Sequence, residues 1–125
     1  MNKVLSVLLG TILIASILHA GKGTRFLHQP DIHKDKIVFV YADDLWLVPA
    51  EGGPAKRLTS HQGVESNPKF SPDGKWIAFS GQYDGNTSPS ARYFGCTEVY
   101  VMPSEGGIPK RLTFHPDRDI VQGWT

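Results

Sequence analysis

Glu51-Gly-Gly-Pro-Ala-Lys-Arg-Leu-Thr-Ser-His61 returns 54 positions later as Glu105-Gly-Gly-Ile-Pro-Lys-Arg-Leu-Thr-Phe-His115, with eight of eleven residues identical. The match runs backwards at the same spacing, from Leu45-Trp-Leu-Val-Pro49 to Val99-Tyr-Val-Met-Pro103. Further upstream, Asp35-Lys-Ile-Val-Phe39 corresponds to Lys75-Trp-Ile-Ala-Phe79, now at a spacing of 40. The second copy therefore holds 14 extra residues within Gly81–Thr97. A period of about 40 residues with several short strands in each unit is the mark of a propeller blade.

Each unit reads as four strands. The first copy places them near Arg25–Gln29, Lys36–Tyr41, Leu45–Pro49 and Ala55–Leu58; the second near Pro68–Phe70, Trp76–Ser80, Val99–Met102 and Lys110–Leu112. The second strand of each unit is a near-continuous apolar run, as expected when both faces are covered by neighbouring blades. The third strands end in Pro49 and Pro103, which cannot continue a ladder. Ser71-Pro72-Asp73-Gly74 has turn chemistry, with Pro at the second position and Gly last. Glu51-Gly52-Gly53 and Glu105-Gly106-Gly107 offer positive φ for hairpins. Arg118–Thr125 reads as the innermost strand of a third unit, the counterpart of Val64–Ser71. The expected fold is all-β: an incomplete propeller of two four-stranded antiparallel blades plus the first strand of a third. Blade 1 spans about 25–62, blade 2 about 64–116, and the third begins at about 118–125. Two blades leave apolar faces in water, so the chain reads as part of a longer protein.

The N-terminus has a separate logic. Lys3 precedes the uncharged run Val4–Leu18, and small residues follow, as in a secretory signal peptide cut after Ala20. The alternative is an uncleaved membrane anchor, for which fifteen apolar residues fall short of the ~20 needed to span a bilayer. Residues 1–20 are therefore expected to form a signal helix ahead of the β region 25–125. Without it, 12 positive and 12 negative charges remain, so the exported chain is neutral. Thirteen Lys+Arg against twelve Asp+Glu over the whole chain, with no clustered basic face, exclude an electrostatic nucleic-acid binder. Thirteen Gly and nine Pro among 125 residues favour turns over helices, and a single cysteine excludes a disulfide framework or a multi-cysteine metal site.

Asn67-Pro-Lys-Phe-Ser-Pro-Asp-Gly-Lys-Trp-Ile-Ala-Phe79, followed by Val99-Tyr-Val-Met102 and Arg111-Leu-Thr113, resembles the WD40-like propeller repeat of TolB, prolyl-oligopeptidase-type and tricorn proteins. Gln29-Pro-Asp-Ile32, Tyr41-Ala-Asp-Asp-Leu-Trp-Leu-Val-Pro-Ala-Glu-Gly-Gly53, Leu58-Thr-Ser-His-Gln-Gly-Val-Glu-Ser66 and Phe79-Ser-Gly-Gln-Tyr-Asp-Gly-Asn86 narrow it to the opening of a bacterial tricorn protease homologue. The resemblance covers Arg25–Thr125. It implies a large serine peptidase, a hydrolase whose N-terminal propeller gates or guides peptides. A second propeller, a PDZ-like module and the catalytic domain follow in that family, and its parent proteins are candidates for homo-oligomers. The family's nucleophile and its partners lie far downstream, so none maps onto this chain. Thr87–Cys96 departs from the pattern, as a loop insertion or a sequence error. The alternative is a TolB-like exported interaction propeller that binds envelope proteins. Localisation is expected to be periplasmic, with the cytoplasm of the archaeal tricorn or a membrane anchor as alternatives; membrane contact is confined to an uncleaved signal segment.

No catalytic, cofactor-binding or metal residue is assigned. No Gly-x-Ser-x-Gly elbow, phosphate loop or dinucleotide fingerprint occurs. His61 and His115 sit at equivalent places in successive repeats, which points to a shared structural task such as capping a turn rather than to metal binding. His28 and His33 flank Pro30-Asp31 and read as a solvated loop. Cys96, with Arg92 four residues away, reads as a spectator thiol. Asn86-Thr87-Ser88 is a glycosylation sequon without meaning in a bacterium. Asp43-Asp44 and Tyr83-Asp84-Gly-Asn86 lack the regular carboxylate spacing of a calcium loop and fit turn chemistry better.

Overall fold

The computed structural model describes residues 27–83, 96–115 and 117–125. The signal segment 1–20, the sequon, Arg92 and most of Thr87–Cys96 lie outside the described residues. Within them the chain is all-β. Eight strands form two four-stranded antiparallel sheets, β1-β2-β3-β4 and β5-β6-β7-β8, each in simple sequence order. They are β1 His28–His33, β2 Lys36–Tyr41, β3 Asp44–Pro49, β4 Lys56–Arg57, β5 Glu65–Phe70, β6 Trp76–Gly81, β7 Glu98–Pro103 and β8 Lys110–Arg111.

β2 lies where the apolar run places it; β3 and β6 differ from expectation by one residue at one end, β7 by one at each end, and β5 begins three residues early, at Glu65. β1 is a correction. It begins at His28 rather than Arg25, so His28 and His33 belong to a strand and not to a loop. The Pro30-Asp31 pair hides this, because proline is ordinarily a strand breaker. Here it sits at a bulge: Gln29 has φ 52, and the β1–β2 register shifts between His28 and Asp31. β5 repeats the device, with Asn67 at φ 52 ahead of Pro68 and a shift between Ser66 and Lys69. A proline at a bulge forfeits no ladder hydrogen bond. The two bulges meet, since the Asn67 N–H donates to the Gln29 side-chain oxygen at 2.9 Å.

The register decides which face of each sheet is core. Val38 pairs with Leu47 and Val40 with Leu45, which puts all four on one side of the first blade. Ile77 pairs with Met102 and Phe79 with Tyr100 on one side of the second. These residues and Phe70 form one buried cluster between the blades, centred on Phe79, whose ring stacks on Tyr100 at 5.7 Å. The expectation that both faces of the apolar strands are buried holds for β6, where Ala78 and Ser80 are buried opposite Ile77 and Phe79, and for one face only of β2. On the far face of the first blade Ile37, Phe39, Trp46 and Val48 are half-buried. On the far face of the second, Trp76 is exposed and Val99 and Val101 are half-buried, while Ser80 is buried and its hydroxyl accepts the Val121 N–H at 2.9 Å.

β5 lies across β1, β2 and β3 of the first blade. The Phe70 N–H donates to Asp31 Oδ2 at 2.8 Å, and the Glu65 N–H to the Asp43 carbonyl at 2.9 Å. Residues 118–125 form no ladder, yet they take up the same relation to the second blade. The Asp119 N–H donates to the Thr97 carbonyl at 2.8 Å, 54 positions on from the Glu65–Asp43 bond. The Trp124 indole donates to the Lys69 carbonyl at 3.0 Å.

Candidate functional site

The repeated phrase Lys-Arg-Leu-Thr acquires a physical meaning once the strands are paired. In the second blade Arg111 points across β8 and β7, its Nη2 donating to Glu98 Oε1 at 2.6 Å and its Nε to the Thr113 carbonyl at 2.7 Å. The Thr113 hydroxyl accepts the Val99 N–H at 2.9 Å and donates to Glu98 Oε2 at 2.6 Å. One buried acid thus ties the short outer strand to its neighbour by charged and neutral hydrogen bonds. The cation is also shielded by an aromatic ring, with the Arg111 guanidinium 4.6 Å from the centre of Phe114.

The first blade repeats the clasp with a shorter acid. Arg57 Nη2 donates to Asp44 Oδ2 at 2.5 Å and Nε to the Thr59 carbonyl at 2.8 Å. The Thr59 hydroxyl accepts the Leu45 N–H at 2.9 Å. That same hydroxyl donates not to Asp44 but to Glu65 Oε2, a carboxyl supplied by β5 of the other blade. Glu65 is completely buried, and its Oε1, Asp44 Oδ1 and the Tyr83 hydroxyl all lie buried without a hydrogen-bond partner. Burial pushes the Glu65 carboxyl above the usual carboxylate range; the Thr59 and Tyr83 hydroxyls beside it oppose this, and Asp44 adds to it. Burial, then Glu65, likewise push the Tyr83 hydroxyl upward.

Above this cluster the seam opens into a groove of about 410 Å³, lined by Leu58, Thr59, His61 and Tyr83 on one side and by Gly107, Ile108 and Pro109 on the other. His61 lies over Tyr83 with ring centres 4.1 Å apart. Its Nδ1 accepts the Gly63 N–H at 3.2 Å, and His115 Nδ1 accepts the Asp117 N–H at the same distance. Both imidazoles therefore cap the turn that follows a Leu-Thr strand end. His33 tilts against Phe70 at 5.9 Å and fills the space over Gly74, where a Cβ would come within 2.3 Å of the ring. Asp43 sits in a two-residue turn with Ala42, both at positive φ, while Asp44 serves Arg57. Among the described residues no three His, Cys, Asp or Glu side chains converge as metal ligands. Sequence reasoning missed Arg57, Thr59, Glu65, Glu98, Arg111 and Thr113 as a set. The signal was present, because an acid recurs at Asp44 and Glu98 with the same spacing of 54 as the Arg and Thr.

The arrangement is one of clasps and caps that register strands and join blades, and similarity to known proteins extends over most of the chain. Residues 24–125 match the family described as the tricorn protease N-terminal beta propeller domain. "Tricorn protease homolog 1" of Streptomyces coelicolor is 37% identical over 101 residues, which is 80% of this chain and 8% of that protein. The "Tricorn protease" of Thermoplasma acidophilum is 35% identical over 88 residues, 70% of this chain and 8% of that protein. A "Putative Tricorn-like protease N-terminal subunit" of Sulfurisphaera tokodaii is 47% identical over 100 residues, 79% of this chain and 47% of that protein. The chain thus spans less than half the length of each of these relatives. With two consecutive blades joined through a common core, it belongs to the tricorn protease N-terminal β-propeller family.

Proposed function

We propose that this chain is the opening part of the gate propeller of an exported, tricorn-like serine peptidase. It guides or selects peptides for chemistry performed elsewhere in the same protein and cleaves none itself. The observation that carries the reading is the family match over residues 24–125. The structure adds a reason for the division of labour. Each His in the turns after β4 and β8 spends its Nδ1 on a backbone N–H, and the buried carboxyls Asp44 and Glu98 hold neighbouring strands of their own blades together. The partners in this reading are a second propeller, PDZ-like and peptidase domains of the parent, and peptides in transit. Export follows from Lys3 and the apolar run Val4–Leu18, with a periplasmic destination.

Two measurements test this. The purified chain, incubated with short fluorogenic peptides, is expected to release no product. The coding sequence downstream of Thr125 is expected to contain a PDZ-like module and a serine peptidase domain. Cleavage that disappears on substitution of one Ser or of Cys96 overturns the first part. A coding sequence that ends after a single propeller overturns the second and favours a free-standing interaction propeller.

A further inference from the structure

The two clasps differ in a compensated way. In the second blade the acid is Glu98, which reaches both Arg111 and Thr113, and the residue 54 positions beyond Glu65 is the shorter Asp119. In the first blade the clasp acid is Asp44, one methylene shorter, and the missing reach to Thr59 is supplied by the longer Glu65. The first clasp is therefore complete only when the second blade is docked on it. That leaves two buried carboxyls, Asp44 and Glu65, beside one guanidinium, Arg57, already bonded to Asp44 Oδ2. Asp44 Oδ1 and Glu65 Oε1 are left as buried acceptors with no donor. A buried carboxylate without a cation is strongly disfavoured, and the neutral Tyr83 hydroxyl beside it supplies no charge, whereas a proton on Oε1 removes the carboxylate's charge altogether.

We propose that Glu65 is a protonation-controlled latch between the blades: as the neutral acid it closes the seam, and on ionisation it loosens it. The groups that face it are Asp44 on β3, Arg57 on β4 with Thr59 just beyond it, the Asp43 carbonyl in the β2–β3 turn, and Tyr83 after β6 with His61 stacked on its ring. The proton comes from and returns to solvent, and no other bond changes. Because burial raises the carboxyl's proton affinity in the folded chain, the latch's contribution is complete at pH values below the unfolded carboxyl's pKa. It fades as pH rises through the higher folded value.

Hydrogen exchange on the full chain reads the seam directly at two amides, Leu45 on Thr59 Oγ1 and Glu65 on the Asp43 carbonyl. Between pH 4 and 8, after correction for intrinsic exchange, both are expected to lose protection by up to tenfold per pH unit from the unfolded carboxyl's pKa up to the higher folded value, and to level off above it. Glu65→Gln, an uncharged isostere of the acid, is expected to abolish that loss and to stay protected at the alkaline end. His61→Gln is expected to keep the wild-type profile. Wild type and Glu65→Gln with the same pH dependence overturn the proposal, as does a Glu65→Gln chain that is unfolded or uniformly less protected. A profile abolished by His61→Gln overturns it too, because the titrating group is then His61.

Discussion

Phe39 and Phe79 occupy equivalent places in the two repeats and have the same side chain, so substituting each to Ala isolates what a covering blade contributes. Phe79 is completely buried at the centre of the interblade cluster, stacked on Tyr100 and 6.2 Å from Tyr83. Removing its ring forfeits a full burial term and leaves a void walled by both sheets, an expected loss of about 3–5 kcal/mol. Phe39 lies on the opposite side of its sheet and is only half-buried. Its truncation forfeits part of the transfer term and seals no cavity, an expected loss of about 1–1.5 kcal/mol. For a domain near 100 residues, each kcal/mol moves the melting midpoint by about 4–8 °C, so the two variants separate by roughly 10 °C or more. Urea unfolding of the chain, followed by fluorescence of Trp46, Trp76 and Trp124, gives both values from midpoints at a common slope. Equal losses, within about 0.5 kcal/mol, would refute the one-sided core.

Three further outcomes follow from the same geometry. Arg111→Ala is expected to cost more than Arg57→Ala, roughly 2–3 against 1–2 kcal/mol, because the Arg111–Glu98 pair is the less exposed of the two; chemical denaturation of both variants checks the order. Gly63→Ala places a Cβ 1.8 Å from the Gln82 carbonyl oxygen, a backbone atom that cannot swing away, and is expected to cost at least about 1–3 kcal/mol, while Gly123→Ala, with open space around it, is expected to leave the thermal midpoint unchanged. Glu105→Ala, which removes the exposed ion pair with Lys36, is expected to cost no more than about 1 kcal/mol, and that difference is expected to vanish at high salt.

The sequence by itself determined the repeat, the number of blades it encodes and the order of strands in each. It also determined the Ser71-Pro72-Asp73-Gly74 turn, closed by the Gly74 N–H on the Ser71 carbonyl at 2.8 Å. These are local properties: a run such as Ile37-Val-Phe-Val-Tyr41 or a Pro-Asp-Gly turn carries its own conformational preference. Only the tertiary structure decided that β2 is core on one side while β6 is covered on both, because a continuous apolar run has no alternation from which to choose a face. β1 escaped local reading because Pro30 argues against a strand unless a bulge absorbs it, and the bulge is anchored across the blade boundary by Asn67. The same holds for the acids. Asp44 reads as turn chemistry until β4 brings Arg57 beside it, and Glu65 is an unremarked glutamate until docking of the second blade puts it under Thr59. Their roles depend on pairings between elements and between blades, and a side chain's charge state there is set by burial that no local pattern encodes.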